Sequence, residues 1–345
     1  KLFCKAYESD EDAAGQLGVI LSEHYLGDET MRRASLKDSY QFILDDLDRA
    51  AELLELEEDF DTDTQGTLYD SIYFNEYTVH ALRARVLLYM KRWDEAIKYA
   101  TKVIDSGYYY LSSCTRAATS SASYYKYMWT NDFSTEAIWK VALPLMPTAA
   151  HWDRYSPTTT TAPAPRLRAG YMGYQPVRHE RPARIRVLPE LHHRIQPRAY
   201  MAAADKILRQ RIVHQLQHPA RQHAEVLRLS EQYLIRAEAY VQRDQPDYGK
   251  AGSDISVLRT ARYSSYGGST SLNKENAMDV IEQERVKELY MEGFRLHDLK
   301  RWHKGFERTP QDQSLSNGSS LKVEKDDPLF VWPIPQHELD APARK

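Results

Sequence analysis

The sequence predicts a mainly α-helical protein made of paired helices beneath an irregular, loop-rich cap. Three observations carry that expectation. Apolar residues recur at helical spacing along several long stretches. Two of these stretches are separated only by a tight turn at Lys91-Arg92, so they must run antiparallel. Between 108 and 225 the helical pattern gives way to Ser/Thr runs at 119–123 and 156–161 and to strand-like pieces such as 137–143. With 345 residues, 42% of them hydrophobic, the chain can bury one large core or two smaller ones.

The first helix starts at Ser35, a capping residue with Asp38 three positions on, and carries Leu36, Tyr40, Ile43, Leu47, Ala50 and Leu54 on one face before stopping ahead of Asp59. A second runs from about Asn75 with Val79, Leu82, Val86 and Tyr89 on its stripe. The third presents Trp93, Ile97, Ala100 and Ile104 and stops at Gly107. Ala81, Ala84, Ala96 and Ala100 allow these two helices to approach closely. The spacing of Ala84, Trp93 and Ala96 is that of a tetratricopeptide hairpin. A second, degenerate copy places Leu229, Tyr233, Ala237 and Tyr240 on one helix, then Tyr248, Ala251, Ile255 and Leu258 on another after a longer linker. From 275 to 302, Val286, Leu289, Tyr290, Gly293 and Leu296 lie along one side, and Gly293 marks either a close helix crossing or a break. The expected organisation is one domain: first helices at 35–107, the cap at 108–225, later helices at 226–302 and a tail at 303–345.

Composition removes several function classes. A net charge of −3 and a pI near 6.5 give no concentrated basic surface for nucleic acid. No run approaches the roughly 18 apolar residues that a membrane helix needs. Cys4 and Cys114 form no C-x-x-C and read as two separate thiols or one chance bridge. Phosphate-loop, dinucleotide, G-x-S-x-G and H-E-x-x-H patterns are missing, so no cofactor and no metal is expected. His214, His218 and His223 include an i, i+4 pair, and Asp59, Asp61 and Asp63 alternate like the opening of a calcium loop. The latter has Thr64 where the sharp-turn glycine belongs, and a solvated acidic loop is the better reading. Residues 162–224 stand apart: eleven arginines and one lysine face only Glu180, Glu190 and Asp205. Such a break fits either a basic insertion, with its cations facing solvent or acidic neighbours, or a stretch read in a shifted frame.

Three motifs, in order, carry a family resemblance. Leu227-Arg228-Leu229-Ser230-Glu231-Gln232-Tyr233-Leu234 continues to Ala237-Glu238-Ala239. The stretch from Glu284-Arg285 through Glu288-Leu289, Glu292-Gly293, Arg295 and Asp298-Leu299 closes on Arg301-Trp302, and Trp332-Pro333-Ile334-Pro335 follows with Glu338. Together they resemble the SusD-like (SusD/RagB) nutrient-binding lipoproteins; the helix at 36–54 and the hairpin at 76–104 are also similar to that family's first repeats, so the resemblance covers about two-thirds of the chain. The resemblance implies a non-enzymatic glycan binder at the bacterial outer membrane, working with a SusC-like TonB-dependent transporter. It also implies a lipid anchor on an N-terminal part that this chain lacks. A tetratricopeptide scaffold for a protein or peptide is the alternative, and an α-helical glycoside hydrolase comes third.

The signature residues Glu284, Arg285, Glu288, Glu292, Gly293, Arg295, Asp298, Arg301 and Trp302 are expected to serve the fold, because each acid has a base within three or four positions. Arg295 and Asp298 should both be buried and hydrogen-bonded. Sugar recognition requires flat aromatic faces beside amide, carboxylate or guanidinium groups. The glycan-contact candidates are therefore the loop aromatics Tyr124, Tyr125, Tyr127, Trp129, Trp152, Tyr155 and Tyr266, with Asn131 beside them.

Overall fold

The computed structural model describes residues 2–23, 32–55, 70–120, 122–131, 134–141, 224–308 and 321–336. Within these, five helices pack in sequence: α2 (Leu36–Glu55), α3 (Glu76–Tyr89), α4 (Trp93–Ile104), α6 (Leu229–Gln242) and α7 (Tyr248–Arg262), each against the next. α1 (Asp10–Ala14) leans on α2 and α5 is the short helix Tyr124–Asn131, while α8 (Ala277–Glu288) packs on α6 and α7 and α9 (Arg295–Arg301) follows it. The strands are short two-stranded pairs: β1 (Leu17–Ile20) with β2 (Arg33–Ser35), β3 (Ala117–Thr119) with β4 (Ala122–Ser123), β5 (Ala137–Val141) with β6 (Ala224–Arg228), and β7 (Phe306–Glu307) with β8 (Lys322–Val323). The fold is mainly α, as the sequence indicates.

Local chemistry starts the helices where expected. Ser35 Oγ accepts the Asp38 amide at 2.9 Å, ahead of α2. Asn75 and Thr78 cap α3 reciprocally: Asn75 Oδ1 accepts the Thr78 amide at 2.9 Å, and Thr78 Oγ1 accepts the Asn75 amide at 3.3 Å. Lys91 adopts a left-handed φ of 60° and reverses the chain between α3 and α4. Ala81, Ala84, Ala96 and Ala100 are all fully buried, so the two backbones approach as the small side chains permit. α3 is buried over most of its length, its Thr78, His80 and Arg83 included, because it is central, touching α2, α4 and α6.

Some details differ from expectation. On α2 it is Leu44 that turns inward, at 5% exposure, while Ile43 is 38% exposed, because the stripe runs Leu36, Tyr40, Leu44, Leu47 at spacings of four and three. The stretch 275–302 is two helices and not one. Met291 and Gly293 take φ values of 63° and 84° between them, and an added Cβ on Gly293 would meet nothing within 4 Å. Gly293 therefore marks a break, with no close crossing there. A close approach occurs instead at Gly252 on α7, where a Cβ would lie 2.4 Å from the Thr270 carbonyl oxygen. Cys4 and Cys114 are both free thiols. The expected strand at 137–143 forms as β5, antiparallel to β6 with Ala137 opposite Arg228 and Val141 opposite Ala224. This pairing carries Glu136 to the side of Arg228, about which the charged interior is organised.

Candidate functional site

Four segments meet at that interior. Glu136 immediately precedes β5, Arg228 ends β6, Arg262 ends α7 and Glu288 ends α8. Arg228 Nη1 donates to Glu136 Oε1 at 2.7 Å and to Glu288 Oε1 at 2.8 Å, and its Nη2 donates to Glu292 Oε1 at 2.8 Å. Arg262 donates from Nη2 to both Glu136 oxygens at 2.8 Å and from Nε to Glu288 Oε2 at 2.9 Å. All four principal groups are under 9% exposed. Burial alone would raise the Glu288 pKa, but the two guanidiniums outweigh it and hold that carboxyl well below the usual range. Glu225 differs. It lies 3.8 Å from Arg228, and its Oε2 makes no hydrogen bond. Burial pushes its pKa up to about 7 against the weaker pull of Arg228 and Lys140.

A second buried cluster locks α8, α9 and α6 together. Arg285 Nε donates to Asp298 Oδ2 at 2.9 Å, and Arg301 bridges Asp298, 2.9 Å from its Nη2, and Glu238, which also accepts the Trp302 indole N–H at 2.8 Å. Burial opposes ionisation of Asp298, yet Arg285 and Arg301 lower its pKa. Glu284 is held by Arg259 and Lys287, each at 2.9 Å. Arg295 departs from its expected burial: its side chain is 33% exposed, and it bonds Glu282 at 2.7 Å from the start of α9. The short α9 leaves Arg295, Leu296 and His297 half-buried and sends Asp298, Leu299 and Arg301 inward. Each of these carboxylates accepts hydrogen bonds from at least one buried or half-buried cation.

The aromatic candidates separate by location. Residues 124–131 are helix α5 and not a loop, and the helix divides them by face. Tyr125 is 6% exposed, with the Arg262 guanidinium 4.5 Å from its ring centroid. Trp129, one turn on, lies 6.1 Å from Tyr125 and 5.4 Å from the Arg228 guanidinium. These two rings roof the ionic network, Tyr125 buried and Trp129 half-buried, so neither is the exposed loop aromatic that the sequence suggested. A buried cation pair recruits aromatic cover, and sequence shows neither the pair nor the burial. Tyr124 and Tyr127 are half-buried, and the exposed Arg116 sits 5.7 Å over the Tyr124 ring. Asn131 ends α5. Tyr266 is half-buried far along the chain, its hydroxyl bonded to Thr270 at 2.7 Å. Trp152 and Tyr155 lie outside the described residues, as do the histidines at 214–223, the aspartates at 59–63 and nearly all of 162–224.

The structure also assembles an aromatic surface that the sequence reading passed over. Tyr73 and Phe74 follow a 3-10 turn (Asp70–Ile72) that packs against β5, and Phe74 meets Trp139 edge to face at 5.5 Å. Tyr77, on the first turn of α3, contacts Tyr108 at 4.9 Å and Tyr109 at 5.9 Å. Tyr109 accepts a hydrogen bond from the Asn75 amide at 3.3 Å. Tyr73 and Tyr110 are 66% and 64% exposed. The run Tyr108-Tyr109-Tyr110 just after the Gly107 stop was the available signal. Among the described residues no cluster of three or more His, Cys, Asp or Glu is arranged to hold a metal ion, and no helix is long and apolar enough to cross a membrane.

Comparison with known proteins places this arrangement. Residues 214–343 match the SusD family. A SusD superfamily protein from Bacteroides thetaiotaomicron VPI-5482 is 20% identical, with a TM-score of 0.65 over 99% of this chain and 72% of its own. A SusD-like carbohydrate binding protein from Bacteroides vulgatus ATCC 8482 is also 20% identical, with a TM-score of 0.64 over 98% of this chain and 72% of its own. A laminarin binding SusD-like protein matches at 20% identity and a TM-score of 0.51, over 82% of this chain and 66% of its own. No curated protein matches the sequence directly. The fold is that of these solved SusD superfamily proteins, and residues 214–343 match the SusD family model.

Proposed function

We propose that this SusD-like chain binds glycan without cleaving it and, from a lipid-anchored position at the bacterial cell surface, delivers it to a SusC-like TonB-dependent outer-membrane transporter. The observation that carries the reading is the fold of a SusD-like carbohydrate binding protein present over 98% of the chain. The state of the carboxyls supports the non-catalytic half. Glycosidic cleavage needs two carboxyls about 5 to 9.5 Å apart across the bond, one of them protonated. Here Glu288 and Asp298 are held ionised in buried ion pairs, and Glu225, whose pKa is raised, has a side chain only 6% exposed. The signature residues then act as the fold's internal fastening within a single domain, and recognition falls to aromatic surfaces elsewhere.

Affinity electrophoresis of the purified protein through gels cast with a polysaccharide panel tests binding, and a reducing-end assay on the same polymers tests cleavage. Retardation by at least one polymer without release of reducing ends is expected. Release that disappears in Glu288→Gln or Glu292→Gln would overturn the reading. So would failure to bind any polymer, which would turn attention to a peptide-binding scaffold. The transporter partnership is tested by co-purification from outer membranes, where a stable pool with no such partner would count against it.

A further inference from the structure

We infer that the surface formed by Tyr73, Phe74, Tyr77, Tyr108, Tyr110 and Trp139 is a contact site for an uncharged oligosaccharide. The inference rests on the glycan-binding reading and names where that binding takes place. Three chain segments meet there, the start of α3, the loop after α4, and β5: Phe74 contacts Trp139, Tyr77 contacts Tyr108, and Tyr77, Tyr109 and Trp139 pack on one apolar cluster. The convergence is fixed by the fold, since Ala81, Val103, Ile138, Leu227 and Leu229 form the apolar cluster against which Tyr77, Tyr109 and Trp139 pack. The loop is tied to the residues ahead of β5 by the Tyr110 amide donating to the Thr135 carbonyl at 2.8 Å and the Thr135 hydroxyl donating back to the Tyr110 carbonyl at 3.0 Å. A rigid base thus carries rings that are themselves uncovered: Tyr73 is 66%, Tyr110 64% and Phe74 38% exposed.

The chemistry of these rings selects the occupant. An edge-to-face pair, such as Phe74 with Trp139 at an interplanar angle of 79°, covers one face of one ring only. A pyranose presents an apolar face of axial C–H bonds and a rim of hydroxyls. It is matched by flat rings with polar edges, and four of the six residues are tyrosines whose phenols supply them. None of the six carries a formal charge at neutral pH, so neither a phosphate headgroup nor a uronate gains an ion pair from them. In contrast, Tyr125 and Trp129 on α5 have guanidiniums against their rings. Of the large hydrophobic aromatics described as exposed, Tyr73 and Tyr110 are the most exposed, ahead of Trp332 at 49%.

The test compares wild type with Tyr73→Ala/Tyr110→Ala, two residues whose exposure makes them dispensable to packing. Laminarin, starch and xylan serve as uncharged probes and polygalacturonate as the charged one, read by affinity electrophoresis and calorimetry, with Tm measured for each variant. Wild type should bind at least one uncharged polymer, and the double variant should lose roughly tenfold or more in affinity with Tm unchanged, while Tyr124→Ala/Tyr127→Ala on α5 binds like wild type. If the double variant binds the uncharged polymer as tightly as wild type, the site is elsewhere and the glycan-binding reading survives. A fall in Tm with unchanged affinity would show that the rings pack against the protein's own chain, and the inference fails. Binding of polygalacturonate alone would also overturn the site while sparing the wider reading. Wild type that binds none of the four polymers would sink both.

Discussion

Replacing Arg228 by methionine isolates what the buried network contributes. The substitution keeps an unbranched, flexible side chain of similar reach but removes the guanidinium that bonds Glu136, Glu288, Glu292 and the Ser230 hydroxyl. Glu136 and Glu288 would then share Arg262 alone, and the Trp129 ring would lose its cation. Breaking a buried ion pair by removing one partner costs about 3–5 kcal/mol, because charges remain buried without compensation. At about 2.1 cal/mol/K of unfolding entropy per residue, a chain of 345 residues has a total near 0.7 kcal/mol/K, so Tm should fall by about 4–7 °C. Circular dichroism melting at pH 7 reads this directly. Arg243→Met provides the comparison, since its partner Asp94 is 79% exposed at 3.2 Å, and such surface pairs contribute about 0–1 kcal/mol. A Tm for Arg228→Met within about 1 °C of wild type would refute the assignment of a structural role to the network.

Asp298→Asn should lower Tm comparably, because Arg285 loses its carboxylate and Arg301 one of its two, while glycan affinity is retained; unchanged Tm with lost binding would mean that the signature contacts ligand. Glu225 has a folded pKa near 7, above the unfolded carboxyl value, so its contribution is fully present at acid pH and is lost as pH rises through about 7. Wild type should therefore give up about 3 kcal/mol from this group between pH 4.5 and pH 8, and Glu225→Gln should remove that slope; parallel Tm-versus-pH curves for the two proteins would exclude it. Gly252→Ala should destabilise by about 1–3 kcal/mol, since its Cβ would collide with the Thr270 carbonyl oxygen, and urea titration with no change in midpoint would contradict that crossing.

The helical scaffold was legible in the sequence because its determinants are local. Ser35 and Asn75 cap helices through atoms three residues away, and the alanines of α3 and α4 lie on a face set by the 3.6-residue period. The three ordered motifs carried the family resemblance for a related reason, being contiguous runs: one through the end of β6 into α6, one across α8 and α9, and one just after the 3-10 turn Pro328–Phe330. Even the expectation that the signature acids are paired followed from bases one turn away, although the structure gives several of them longer-range partners: Glu288 with Arg228 and Arg262, Glu292 with Arg228. The aromatic sites were not legible, because a ring's role depends on what arrives from elsewhere in the chain. Tyr125 and Tyr124 are neighbours in sequence, yet one roofs Arg262 and the other lies beneath the exposed Arg116, a division made only when α5 docks on the ends of β6 and α7. Phe74 and Trp139 meet edge to face because β5 lies beside the 3-10 turn ahead of α3. Periodicity and capping act over one or two turns and can be read from one strand of text, whereas burial and convergence are properties of segments packed together, which only the tertiary structure decides.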